Sequence, residues 1–94
     1  MSQHETKKFS LGRIVATPGA LEALAAAGQS AGEFLARHVV GDWGDLDDED
    51  RKANDAALVD GSRILSAYQT KKGERIWIIT EATNEVGFAT AQQS

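Results

Sequence analysis

The chain has no cysteine, and its 94 residues include only one proline, one tyrosine and two histidines. Each shortage closes off a class of function. Without thiols there is no disulfide, no thiolate metal centre and no cysteine nucleophile. The two histidines, His4 and His38, lie far apart in sequence, so no H-x-x-x-H spacing exists and no metal site is expected. No stretch approaches the ~18 apolar residues of a membrane-spanning helix. Lys and Arg number 10 against 14 Asp and Glu, a formal charge of −4. A protein that coats nucleic acid carries a basic stripe instead, so no direct nucleic-acid binding is expected. A nucleophile elbow, a phosphate loop and a dinucleotide fingerprint are also missing, and no cofactor is expected. The opening "MSQHETKK" lacks the apolar core of a signal peptide and reads as a disordered lead over 1–8. These absences together give the expectation of a cytoplasmic protein with no membrane partner.

What is present is enough apolar residue, 41%, for one small core. The expected domain spans 9–90, with a frayed tail at 91–94. "FSLGRIVAT" (9–17) reads as a short strand, with Gly12 marking a bulge or a close backbone approach. Thr17 caps a first helix with Pro18 at its first position, an apolar stripe at Leu21 and Leu24, and a stop at Gly28. Ser30 and Glu33 form a capping-box pattern for a second helix, whose apolar face is Phe34, Leu35, His38 and Val39. Asp47 caps a third, which carries Asp48, Glu49 and Asp50 in its first turn, where the helix dipole favours acids. Its apolar face is expected at Ala53, Ala56, Ala57 and Leu58. The period then changes to two. "SRILSAYQT" and "ERIWIITEA" flank "KKG" as a β-hairpin. "IWII" is apolar on both parities, which predicts a central strand covered at least partly on both faces. "FATAQQS" predicts no more than a ragged edge strand. The order implies an α+β fold, with three short helices packed on an antiparallel sheet of three to four strands.

One stretch concentrates the candidates for chemistry. "RHVVGDWGDLDDED" (37–50) places an Arg, a His, a Trp between two glycines and six acids in succession. The acids do not fit a calcium loop: Asp50 stands where the turn glycine belongs, and Ala56 where the closing Glu belongs. Helix capping on a solvated face accounts for them. His38 has two readings, a half-buried ring making one structural hydrogen bond, or a general acid–base near neutral pH. Trp43 also has two, a plug at the core edge or an exposed anchor for a partner. Arg37, Ser66, Tyr68 and Glu81 are polar residues that the fold could bring toward His38.

"LGRIVATPGALEAL", "RHVVGDWGDL", "NDAAL" from Asn54, "GSRILSAY" from Gly61 and "IWIITEA" resemble a family of short bacterial proteins. Such proteins are carried on plasmids and other mobile elements and are described as plasmid-related. The resemblance covers about residues 9–82, and the family brings no activity with it. Its members continue with an acid–Arg–Ser turn, a Thr-Thr strand and a Leu-Leu-Pro tail, whereas this chain reads "TNEVGFATAQQS". The implied context is a mobile element acting on a host. Two functions then compete. The first is an acidic binding or inhibitor module directed at a host protein with a basic, nucleic-acid-binding surface, such as a defence complex. It would use Trp43, Asp42, Asp48, Glu49 and Asp55. The second is a small metal-independent RNase-like enzyme or toxin. His38 would be its base, Arg37 would stabilise the phosphorane, and Ser66 or Tyr68 would position the phosphate.

Overall fold

The computed structural model describes residues 8, 9 and 11–90. Its elements run β1 (Ile14–Ala16), α1 (Pro18–Ala27), α2 (Ala31–Val39), α3 (Asp48–Asp60), β2 (Ile64–Gln69), β3 (Arg75–Thr80) and β4 (Val86–Thr90). The four strands form one sheet in the order β1-β4-β3-β2, and the fold is α+β as expected. The β2–β3 and β3–β4 pairs are antiparallel, but β1 runs parallel to β4, so the sheet is mixed. The helices make the long crossover that returns the chain for this parallel pairing, which a hairpin cannot do.

Local sequence explains the helix limits. Thr17 accepts a hydrogen bond from the Ala20 amide at 3.1 Å, while its own amide donates to Phe88 O at 3.0 Å. One residue therefore ends the β1–β4 ladder and starts α1. Ser30 caps α2 through the Glu33 amide, and Asp47 caps α3 through the Asp50 amide at 2.9 Å. Gly28 and Gly61 close α1 and α3 in the left-handed conformation that a residue without Cβ adopts at no steric cost.

Several expected faces are revised. The buried stripe of α1 is Ala20, Ala23 and Leu24, while Leu21 points outward. In α3 the inward residues are Asn54, Ala57 and, partly, Leu58; Ala53 and Ala56 are exposed. The first strand is three residues long because Gly12 already pairs with Asn84, and a Cβ at Gly12 would lie 2.9 Å from Asn84 O. Lys8, assigned to the lead, donates its amide to Val39 O at 2.7 Å and belongs to the fold; residues 1–7 and 91–94 lie outside the described residues. The largest revision concerns "VGFAT". It is an interior strand, with Val86 and Phe88 fully buried. Alternation of Val86 and Phe88 against Gly87 and Ala89 carried that signal.

One sheet face holds the core. Tyr68, Ile76, Ile78, Val86 and Phe88 pack against Ala20, Ala23 and Leu24 of α1 and Phe34 of α2. A second cluster joins Trp43 and Ala57 to Ile64, with Phe9, Leu46 and Leu58 around it. The opposite face, with Val15, Leu65, Trp77, Ile79 and Ala89, has no helix over it in either cluster. The expectation that β3 is covered on both sides is therefore half right: it is central, but its second face lies open.

Candidate functional site

The polar residues singled out around His38 do converge, and they converge inside the protein. His38 is reached from α2, Ser66 from β2 and Thr80 from β3; they are 0%, 0% and 2% exposed. Ser66 and Thr80 occupy inward positions on their strands, in register with Ile78 and Ile64 respectively. His38 Nδ1 lies 2.5 Å from Ser66 Oγ and Nε2 lies 2.8 Å from Thr80 Oγ1. A neutral imidazole donates from one nitrogen and accepts a hydroxyl proton at the other, so both ring nitrogens are satisfied in either tautomer. Phe9 meets the ring edge-on at 5.1 Å and Trp43 at 6.0 Å. Burial lowers the His38 pKa from 6.5 to about 4. The ring is thus a neutral core residue with its hydrogen bonds closed, and it offers no nitrogen to a substrate. Of the two readings of His38, the geometry favours the hydrogen-bonded core ring over the general acid–base.

Tyr68 is buried as well. Its hydroxyl donates to Asp42 O at 2.5 Å, and burial pushes its pKa up to about 12. Arg37 caps this residue from outside, its guanidinium carbon 4.4 Å from the Tyr68 ring centre. The same guanidinium donates to both oxygens of Asp42, at 2.7 and 3.4 Å. Hydrogen bonding to Arg37 holds the Asp42 carboxyl below its usual value and raises Arg37. Arg37, Asp42 and Tyr68 therefore form a closed latch over the α2–β2 junction. Arg37 and Asp42 are thus engaged with each other first, although both side chains stay nearly half exposed, at 45% and 48%. Glu81 lies away from this cluster, paired with Arg63 at 3.2 Å.

The "GDWG" turn owes its path to Gly44. With φ at +77°, this residue presses against β2, where an added Cβ would fall 2.0 Å from Ala67 O and 2.7 Å from the Tyr68 ring. No other amino acid fits. The close approach lets Trp43 O accept from the Ala67 amide at 3.0 Å and the Asp45 amide donate to Ala67 O at 2.7 Å. Trp43 is only 5% exposed and stacks on Phe9. Its reading as an exposed anchor is corrected; the indole is a plug.

Asn54, which the sequence reading passed over, completes the same edge. Its Nδ2 donates to Leu65 O at 2.7 Å and its Oδ1 accepts from the Leu65 amide at 3.0 Å. An amide side chain thus imitates a neighbouring strand, while residues 43–45 do so one step along. The outward backbone groups of Leu65 and Ala67 are all paired, so this stretch of β2 is sealed against strand addition. Arg51 holds the arrangement from the other side, donating to Leu46 O and Gly44 O. A lone amide at the i−3 and i−4 positions of Ala57 and Leu58 was the available signal.

Asp48, Glu49 and Asp55 remain on the surface, all on the exposed side of α3. Lys52 lies between them, and Val59 on the same side is 89% exposed. Among the described residues no three His, Asp or Glu side chains gather where they could hold a metal ion. No helix there is long and apolar enough to cross a membrane. Comparison of the chain with protein-family models, curated proteins and solved structures gives no match in any of the three.

Proposed function

We propose that this protein is a non-enzymatic binding module whose acidic helix α3 docks on a basic surface of a partner protein. The observation that carries the reading is the division of polar residues between inside and outside. His38, Ser66 and Tyr68 are buried and Arg37 is latched to Asp42, whereas Asp48, Glu49 and Asp55 stand free on one helix. The buried side of that helix is fixed to β2 by Asn54 and to the preceding turn by Arg51. A rigid helix presents its charges without an ordering cost on binding. Acids on such a helix steer and orient a partner rich in Lys and Arg, and exposed Ala56 and Val59 offer a small apolar contact among them. A basic surface of this kind is what nucleic-acid-binding proteins carry, so occupying it would inhibit them. The resemblance to plasmid-related proteins supports a host protein as the target and a mobile element as the source, with an anti-defence role as the specific form.

The test is capture of partners from a bacterial lysate by the wild type and by Asp48→Lys, Glu49→Lys and Asp55→Lys combined. The expected result is a stoichiometric partner that salt elutes, that added RNA competes away, and that the triple variant loses while staying folded. A partner retained equally by the triple variant would overturn the reading, as would RNA cleavage abolished by His38→Gln.

A further inference from the structure

The geometry points to a second surface, distinct from α3: the open face of the sheet binds a second copy of this chain. Along β3 this face carries Trp77 and Ile79, with Leu65 beside them on β2 and Ala89, Gly87 and Val15 on the other side. Val15 is 47% exposed and Trp77 and Ile79 are half-buried, so a continuous apolar surface meets solvent. Contiguous apolar patches of this kind on a small chain mark interaction sites.

Two observations select a second copy as the occupant. First, relief: the large side chains of β3 form a ridge, and Gly87 and Ala89 leave a trough of about 350 Å³ beside it, bounded by Val15 and Ile79 and closed at one end by Glu81 and Glu85. Ridge and trough lie on adjoining strands, so a two-fold arrangement of two sheets seats each ridge in the other's trough, the self-complementarity an isologous interface requires. Second, charge: the chain is acidic overall, at −4, and two copies repel through α3. At one end of the open face the charges are already paired, Arg63 with Glu81 and Arg13 with Glu85, so this rim carries no net charge, and Arg75 at the other end is the one cation of β3 on this face.

Area sets the strength. Four strands ~4.8 Å apart and about 17 Å long present roughly 300 Å² in projection. Two such faces, with side-chain relief added, reach the low end of specific interfaces, near 1,000 Å² in total. An interface of this size belongs to the weak, transient class. It leaves both acidic helices facing outward, so a dimer would offer two docking helices to a partner.

Sedimentation equilibrium from about 1 μM to about 1 mM tests this directly. Wild type is expected to move from the 10.1 kDa monomer toward twice that mass. Ala89→Glu, which puts a carboxylate in the trough, is expected to stay monomeric with an unchanged circular dichroism spectrum and unfolding midpoint. Val15→Lys, on the short and half-exposed β1, gives the same readout should Ala89→Glu disturb the fold. The triple α3 variant is expected to dimerise as wild type does, which separates this surface from the partner-binding one. A wild type that remains at 10.1 kDa throughout would overturn the inference. So would a dimer that survives both Ala89→Glu and Val15→Lys.

Discussion

The two tryptophans stand on opposite sides of one sheet, one enclosed beneath helices and one on the face that no helix covers. Trp43 lies between two glycines in a turn, where a core-edge plug and an exposed anchor were both open, and it is the plug, 5% exposed and packed against Phe9 and His38. Trp77 lies in "IWII", which reads as a strand covered at least partly on both faces, and it is half-buried on a side without a covering helix. The difference teaches what decides burial. Trp43 is inside because Gly44 brings the backbone against Ala67, and only a residue without Cβ permits that approach. Trp77 is only half-buried because three helices suffice for one face of a sheet of this size, and nothing remains of the described chain to form a second layer. Backbone approach and topology, not hydropathy alone, sort the two rings.

That contrast predicts that changes on the helix side cost stability, and changes on the open side cost association. Gly44→Ala should have the largest effect. Its methyl would overlap Ala67 O while the backbone keeps a positive φ, so a loss of about 3 kcal/mol or more is expected in urea unfolding, or failure to fold. Near-wild-type stability would break the account of the turn.

Next comes pH. His38 is held neutral in the fold, down to about 4, while its ordinary value is 6.5. Between those values the unfolded chain binds more protons than the folded one, so stability falls as pH falls. The slope reaches about 1.4 kcal/mol per pH unit and the total about 3 kcal/mol. Above pH 6.5 the effect vanishes. Asp42, held below its usual 3.8 by Arg37, adds its own loss as pH falls further, so the two windows meet near pH 4 and His38 alone of the two dominates above about pH 5. Urea unfolding midpoints across this range should slope for wild type and flatten for His38→Gln; equal slopes would sink the assignment.

Asn54→Ala should cost about 2 kcal/mol, because it leaves both backbone groups of Leu65 without partners. Asn54→Asp should not restore the loss, since a carboxylate cannot donate to Leu65 O. Amide exchange at Leu65 should accelerate in Asn54→Ala, which removes its acceptor, and less in Asn54→Asp, which keeps one. Ala89→Glu is expected to be smallest, within about 0.5 kcal/mol of wild type in monomer stability, with its effect confined to self-association.

Much of this architecture was legible because local signals were strong. Thr17, Ser30 and Asp47 cap the helices they were expected to cap, and the hairpin around Gly73 follows from turn chemistry. Helix faces were less legible in α1 and α3, where many small alanines give an apolar stripe no clear direction. The last strand was hidden by its polar, small residues; parity at Val86 and Phe88 was informative, but only the partner strands on both sides reveal it as interior. The site was legible as a set of residues but not in its role. His38, Ser66 and Tyr68 are typical of catalysis and equally of a hydrogen-bonded core, and burial distinguishes the two. Thr80 follows Ile76 and Ile78 in parity and was the missing partner that closes the ring. The spacing of Asn54 from Ala57 and Leu58 marks it as inward, but its partner Leu65 follows only from where β2 lies.

The central claim is that the chemically suggestive residues form the interior, leaving function to the surface. An NMR titration of the His38 ring from about pH 8 to about pH 4 tests it most directly. The expected result is ring signals that stay constant until about pH 5 and then change toward a midpoint near 4, with slow exchange of the ring N–H. A midpoint near 6.5 in the folded protein would mean that water reaches the imidazole, and would contradict the account.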